Sequence, residues 1–403
     1  MKLINLPTYS SGSHRYIPWR ESIAAVVILL GAWLYGFFTA RSPIAPLVPN
    51  VLPQASVVKA QGDIFAGYDA GGKLVGYAAA ADATGYGGPF YLLVGVNPAG
   101  EIQGIQVIEH RENPGFYVLL KDRGFYQQFL GKTTDQPFIL GQNVDAVTGA
   151  SVSSGGVTLA IQRSIQKIQG GTSKALSIPI KFGLPEITLL ALIAVSVIHG
   201  RLRKLRVRKI LRWVSLLVAV VVLGFALNKS LTLANIASLL VGYWPTWQDH
   251  LYWYILVVGM LSYTLFAGRN IYCYMICPFG AVQECLGVLG ASKPYLPTKA
   301  YFRLKWVPRW LAVLALALGL AFRQPGVISY EPFGTLFSFA AGFFPWMLLV
   351  FVLFGAMIIL RPFCNYLCPV GAVMNFLLFV NKQVRIIWKN KRLFRKEKST
   401  ASF

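Results

Sequence analysis

Acidic residues are scarce in this chain. Against 38 Lys and Arg stand only 15 Asp and Glu, a net charge of +23 over 403 residues. The scarcity is uneven: residues 43–180 hold nine acids and nine bases, whereas the rest holds 29 bases against 6 acids and carries the whole excess. The acids near apolar runs, Glu186, Asp249 and Glu284, are scattered. No run pairs two carboxylates, which argues against a transporter with an acidic path. Cysteine is rare too. Of five cysteines none falls in 43–180, so that segment has no disulfides even in an oxidising compartment.

Hydrophobic residues, by contrast, make up 55% of the chain, above the roughly 45–50% apolar share of an ordinary soluble protein. Six runs are long and apolar enough to cross a bilayer, which needs on the order of 20 residues: about 22–40, 184–199, 213–227, 251–267, 310–322 and 343–360. The first follows Lys2, Arg15 and Arg20. Its apolar core exceeds the roughly 7–15 residues of a cleaved signal peptide, so it reads as an anchor with its N-terminus inside. Bases then sort the remaining loops. RLRKLRVRKILR (201–212), the loop with Lys293, Lys299, Arg303, Lys305 and Arg309, and the tail 382–398 are basic and belong in the cytoplasm. Segments 228–250 and 323–339 carry little positive charge and face out. Bases confined to short loops beside apolar runs follow the positive-inside rule, which disfavours a nucleic-acid surface. His199 and His250, the candidate haem ligands, fall at opposite faces and cannot share one iron.

The neutral segment between the first two runs has another texture. GKLVGYAAAA and FYLLVGVNPAGEIQGIQVIEH alternate apolar and polar residues, with Asn97-Pro98-Ala99-Gly100 as a hairpin turn. SSGGVTLAIQRSIQKI (153–168) opens with serines at a cap position and repeats Val157, Ile161, Ile165 and Ile168, the pattern of a helix packed by one face. The predicted architecture is an α-helical membrane protein of six transmembrane helices with an extracytoplasmic α+β domain inserted between helices 1 and 2. Its parts are an anchor (1–41), a Pro-rich tether (42–60), the outer domain (61–175), a five-helix membrane domain (183–380) and a basic tail (381–403).

Four of the cysteines form an internal repeat: IYCYMICPFGAVQE and RPFCNYLCPVGAVMN, offset by 91 residues at both cysteine positions, Cys273/Cys277 and Cys364/Cys368. Cys-x-x-x-Cys sets two thiolates one helical turn apart. Proline marks an element boundary, and Gly-Ala permits close approach to a bulky centre. The ferredoxin run ends in the same Cys-x-x-x-Cys-Pro but begins with a Cys-x-x-Cys missing here, so neither pair suffices alone. Two pairs supply a full set of four thiolates for a [4Fe–4S] cluster, or for [2Fe–2S]. Zinc on the same thiolates and plain core cysteines are the alternatives. Cys285 has no counterpart in the second copy and reads as a buried hydrophobe.

In the outer domain the most specific stretch is DAVTGASVSSGGV (145–157): an acid, a hydroxyl, Gly-Ala, a second hydroxyl, then a helix start. Small residues at a helix N-terminus admit a phosphate, although a Ser/Thr-rich cap has the same composition. Asp145, Thr148, Gly149, Ala150 and Ser151 resemble the flavinylation signature of the FMN-binding domain in NqrC and RnfG subunits and the NosR/NirI family. That resemblance implies FMN esterified through its phosphate to Ser151, where the family usually has Thr, by a flavin transferase. His110-x-Glu112-x-Pro114-Gly115 is similar to a His-x-Glu-Thr-Pro-Gly element of the same domain, with Asn113 in place of Thr, and implies a flavin-pocket role for His110 and Glu112. The membrane half resembles NosR- and NapH-type proteins with two Cys-x-x-x-Cys-Pro motifs. Typical NosR proteins continue into a domain with two ferredoxin-type clusters, which this sequence ends at Phe403 without.

The resemblance implies a bacterial inner-membrane electron-transfer component with its FMN domain in the periplasm and no catalytic residues of its own. It would join an iron–sulfur centre, fed by a cytoplasmic ferredoxin-like or flavoprotein donor, to FMN and a periplasmic acceptor. A redox-sensing regulatory or assembly factor is the alternative. A hydrocarbon layer of about 30 Å is too thick for one tunnelling step. The path must therefore be shortened, by re-entrant cysteine motifs, by a further cofactor, or by docking of the flavin domain onto the aromatic outer loops around Trp244, Trp247, Tyr330 and Phe333.

Overall fold

A computed structural model of the protein describes residues 19–39, 44–86, 88–112, 114–170, 182–245, 247, 250–293, 304, 306–326, 328, 330–339 and 343–400. Lys2, Arg15, Asn113, Asp249 and the loop bases Lys299, Arg303 and Lys305 lie outside them.

Helix α1 (Trp19–Thr39) is apolar and exposed along most of its length, a composition suited to lipid. The outer domain follows. Strands β1 (Val57–Gln61), β2 (Ile64–Tyr68), β3 (Leu74–Thr84), β4 (Pro89–Val96) and β5 (Ile102–His110) form an antiparallel meander in chain order. The expected turn at Asn97–Gly100 joins β4 to β5, with Val96 paired to Ile102. Alternation buries two faces at once, because each face has its own cover. One takes the amphipathic helix α4 (Ser151–Ile168), whose Val157, Ile161 and Ile165 pack with Phe90, Leu92 and Val94. The other takes the short helix α2 (Val48–Val51), whose Val48, Val51 and Leu52 pack with Ala78, Ala80 and Leu93. The segment expected to be a tether is therefore, from residue 44 on, part of the domain. The pleat makes room for it at Gly95 and Gly104, where a Cβ would stand 2.4 Å and 2.6 Å from the Val51 backbone.

Among the described residues, three helices are long and apolar enough to cross a membrane, Arg20–Thr39, Leu205–Ala226 and Pro369–Trp388; four shorter apolar helices cover Leu184–His199, Leu251–Ala267, Val307–Ala321 and Phe343–Ile358. With Phe351, Phe354, Phe266, Leu217 and Phe344 exposed on these helices, the surface is an apolar belt of the kind lipid covers, and the chain is a membrane protein. Two details depart from the sequence reading. The basic stretch 201–212 is helical from Leu205 onward, because Leu, Arg and Lys are good helix formers. The tail is one continuous helix with the second cysteine motif, Pro369–Thr400.

Candidate functional site

The two cysteine motifs fold alike. The Leu251–Ala267 helix ends at left-handed Gly268, and the chain turns through Tyr272–Ile276 to Cys277, after which Pro278 opens the Pro278–Leu289 helix. The Phe343–Ile358 helix is followed by left-handed Arg361, the short helix Pro362–Tyr366, Cys368, and the helix opened by Pro369. Cys277 N–H donates to Tyr272 O, and Cys368 N–H to Phe363 O, each five residues back at 2.8 Å. Gly280 N–H donates to Cys277 Sγ at 3.4 Å, and Gly371 N–H to Cys368 Sγ at 3.3 Å. Such N–H···S contacts favour a thiolate.

The copies converge. Cys273, Cys277, Cys364 and Cys368 all line one cavity of about 40 Å³, well above the roughly 10–15 Å³ that one water needs. The thiols stand around open space instead of packing together as a collapsed core would. Among the described residues no three His, Cys, Asp or Glu side chains gather closely enough for a single metal ion. Four thiols around one cavity are the ligand set that an iron–sulfur cluster takes.

Segments beyond the two motifs also reach the cavity. Leu231 and Phe333, from segments that the charge pattern assigns to the outer side, line the same cavity. Leu231 N–H donates to Tyr272 Oη at 2.8 Å, and Tyr330 Oη donates to Leu367 O at 2.7 Å. The irregular backbone of the motifs is thus enclosed by protein, the setting in which such backbone is tolerated inside a membrane.

Sequence reading also missed the brace of this site. Glu284, taken as a scattered acid, is 2% exposed and lies between two cations: Arg212 grips it with a fork of 2.6 and 2.7 Å, and Arg361 pairs with its other side. Arg361 also donates to Cys273 O at 2.9 Å and lines the cavity. Beside it, Gln283 accepts from Phe363 N–H at 3.0 Å and donates to Cys364 Sγ at 3.3 Å. The first copy thus holds the second. A signal existed: the repeat diverges at Gln283-Glu284, replaced by Met374-Asn375 in the second copy. Cys285 is corrected as well. It is exposed, on the helix face that also exposes Val288 and Leu289.

In the outer domain, the signature forms the turn into α4. Gly149 has φ +86°, a conformation favouring glycine. Ala150 is the N-cap and makes no side-chain cap, so Ser151 is the first helical residue. The expected serine cap is corrected: Ser153 and Ser154 lie inside the helix, with Ser154 Oγ accepting from Val147 N–H and donating to Ala150 O. Asp145, Thr148, Gly149 and Ser151 are exposed, and Ala150 is buried. Gln128 clamps the Asp145 backbone through both ends of its amide, at 2.8 and 3.2 Å. An exposed hydroxyl at an uncapped helix N-terminus fits an FMN phosphate, whose charge the free N–H groups would receive. Buried Ser153 Oγ, Tyr126 Oη and His110 Nδ1 find no partner among the described residues, and such unmet bonding capacity is what a polar ligand satisfies.

His110 and Glu112 sit apart from that turn, joined to it through helix α3 (Pro114–Asp122). Leu119 Cδ2 lies 3.6 Å from a Cβ built on Gly149, and Tyr117 stacks on His110 with centroids 3.6 Å apart. Burial holds the His110 imidazole below its ordinary pKa. Glu112 is fully buried and accepts Tyr86 N–H at 2.8 Å, which makes it a brace of the β3–β4 turn. Burial, with Glu112 nearby, pushes the Tyr86 phenol up.

Residues 85–166 match the FMN-binding domain family, and residues 249–297 with 341–386 match the 4Fe-4S binding domain family. The chain therefore joins a region similar to FMN-binding domains to a membrane region similar to 4Fe-4S binding domains. It is similar to protein NirI of Paracoccus denitrificans, 34% identical over 170 residues, 38% of this chain and 24% of that protein. Regulatory protein NosR of Pseudomonas aeruginosa is 29% identical over 208 residues, 46% of this chain and 28% of NosR. A component of the proton-translocating ferredoxin:NAD(+) oxidoreductase complex of Clostridium ljungdahlii is 30% identical over 103 residues, 24% of this chain and 56% of that component. The chain thus spans about a quarter of NirI and just over half of the Clostridium ljungdahlii protein. The crystal structure of Shewanella oneidensis NqrC is matched at 23% identity and a TM-score of 0.22, over 30% of this chain and 70% of that one. The NosR/NirI-type resemblance read from the sequence holds.

Proposed function

We propose that the protein carries electrons across a membrane between an iron–sulfur centre on Cys273, Cys277, Cys364 and Cys368 and an FMN esterified to Ser151. The observation that supports this most directly is the convergence of both cysteine pairs on one cavity. The topology proposed is six spans in a bacterial inner membrane, with the flavin domain in the periplasm. Bound there, a [4Fe–4S] cluster and FMN would each supply reversible one-electron chemistry.

The chain's own residues hold and tune. The four thiols and the Gly280 and Gly371 amides bind the cluster, while Arg361 sets a positive charge beside it. The α4 N-terminus receives the flavin phosphate, and His110 and Glu112 shape the far side of the pocket. The partners are a flavin transferase, a cytoplasmic donor and a periplasmic acceptor. Iron and sulfide analysis with EPR on anaerobically purified protein tests the centre; four iron per chain is expected, and none would overturn it. Flavin fluorescence should survive denaturation on the intact band and vanish in Ser151→Ala. Persistence in that variant would reject the ester at Ser151.

A second reading is supported by the name of the NosR relative, a regulatory protein. Under it the same cofactors sense redox state, and the output is contact with another protein. Rapid oxidation of reduced protein by a purified periplasmic partner favours the carrier; redox-dependent binding without turnover favours the sensor.

A further inference from the structure

The flavin module does not hang free of the membrane module; it is seated on the loops that the charge pattern assigns to the outer side. Gly326 marks the seat. A Cβ built there would lie 2.2–2.4 Å from the Arg111 and Glu112 carbonyls, so two backbones touch at a position that admits no side chain. Beside it the Arg111 guanidinium covers the Tyr243 ring at 4.3 Å, and Arg323 approaches the same ring at 5.3 Å while its Nε donates to Tyr243 Oη at 2.9 Å. Tyr243 is thus held by one arginine from each module, a desolvated cation–π arrangement that holds a relative position.

The seat brings the two cofactor sites close. On α3, Leu119 lies against Gly149 of the flavin turn, and Phe116, one helical turn earlier, has its Cζ 3.8 Å from a Cβ built on Gly334. The next residue back, Phe333, lines the cysteine cavity and packs on Phe279 and Phe363. One turn of α3 and one aromatic layer therefore link the flavin turn to the cavity. Of the outer aromatics read as docking residues, Tyr330 and Phe333 lie on this side, whereas Trp244 and Trp247 are exposed.

We propose that the approach of the Phe116 ring to Gly334, beside Phe333, is the electron-transfer junction between the modules, with Gly326 on Arg111-Glu112 as the positioning residue that holds it closed. With both groups bound, one electron would pass between cluster and flavin, one oxidised as the other is reduced, and no bond would form or break at the junction. This rests on the electron-carrier reading above.

The test uses full-length protein carrying both cofactors, in nanodiscs. Electron exchange between flavin and cluster is followed by absorbance after flash photoreduction of the flavin. In wild type the exchange should be first order and independent of protein concentration. Gly334→Leu, which pushes the modules apart from outside either core, and Phe116→Leu should slow it on the order of tenfold or more, with iron and flavin content unchanged; Phe116→Tyr should keep the rate. Gly326→Val should raise hydrogen exchange across 110–119 and 330–337, a readout that needs no cofactor, and slow the step alongside. Wild-type rates in Gly334→Leu and Phe116→Leu, or in a Gly326→Val protein whose interface has opened, overturn the junction while the carrier reading stands. Absence of flavin–cluster exchange in wild type overturns both.

Discussion

The cysteine cavity and the Ser151 turn, the two places where the proposed function puts a redox group, are built in opposite ways. The cavity is assembled from several segments far apart in sequence, is closed by aromatic side chains, and is braced from one repeat to the other by buried charge. The flavin turn is one continuous stretch, exposed, and stiffened by two local hydrogen bonds through Ser154. A site of the first kind forms only with the fold, so its occupant and the folding of the membrane half are linked. One of the second kind stays open to modification after folding, as the proposed ester at Ser151 would need. Variants in the two regions should therefore fail differently.

The largest effect should come at the cavity. Cys273→Ala and Cys364→Ala should each abolish the whole EPR signal; loss of half the signal would mean two separate centres. Glu284→Ala leaves buried Arg361 and half-buried Arg212 without their carboxylate, and breaking a buried pair costs about 3–5 kcal/mol. Thermal unfolding in detergent should show it, and Glu284→Gln should recover part of the loss by keeping the hydrogen bonds. In the outer domain the corresponding change is smaller. Glu112→Ala orphans the Tyr86 amide, an effect of about 1–3 kcal/mol, read by thermal unfolding followed through flavin fluorescence. Ser151→Ala, exposed and outside any core, should stay within about 0.5 kcal/mol of wild-type stability while losing its covalent flavin.

The smallest effect is a pH dependence. Because burial lowers the His110 pKa, the folded domain binds fewer protons than the unfolded chain from that lowered value up to the ordinary one, about 6.5. Its contribution is therefore complete above about pH 6.5 and is lost as pH falls through that value toward the lowered one. His110→Phe, which keeps a ring against Tyr117, should flatten the profile.

What was legible in the sequence followed from local pattern. The hairpin at Asn97–Gly100, the apolar face of α4 and the need for the cysteine pairs to meet are consequences of spacing, and all three appear in the fold. What was not legible depended on tertiary partners. Glu284 looked scattered because its cations come from residues 72 positions before and 77 after it. Ser153 and Ser154 looked like caps because serines buried inside a first helical turn, Ser154 bonded to the carbonyl four residues back, have the same sequence signature. The enclosure of the motifs by distant segments was hidden, since nothing local tells a helix end from a turn back into the bundle. The Pro-rich segment looked free because the glycines that receive it are dispersed over separate strands.

That last feature sets how far the flavin can travel. With α2 fastened to the sheet, only four residues separate the end of α1 at Thr39 from Ile44, which packs on the domain, a reach of at most about 18 Å fully extended. Even when its seat opens, the domain samples a small volume above its own membrane half, and its effective concentration there is on the order of millimolar. Re-docking is then a first-order event within one molecule, insensitive to how many copies the membrane holds.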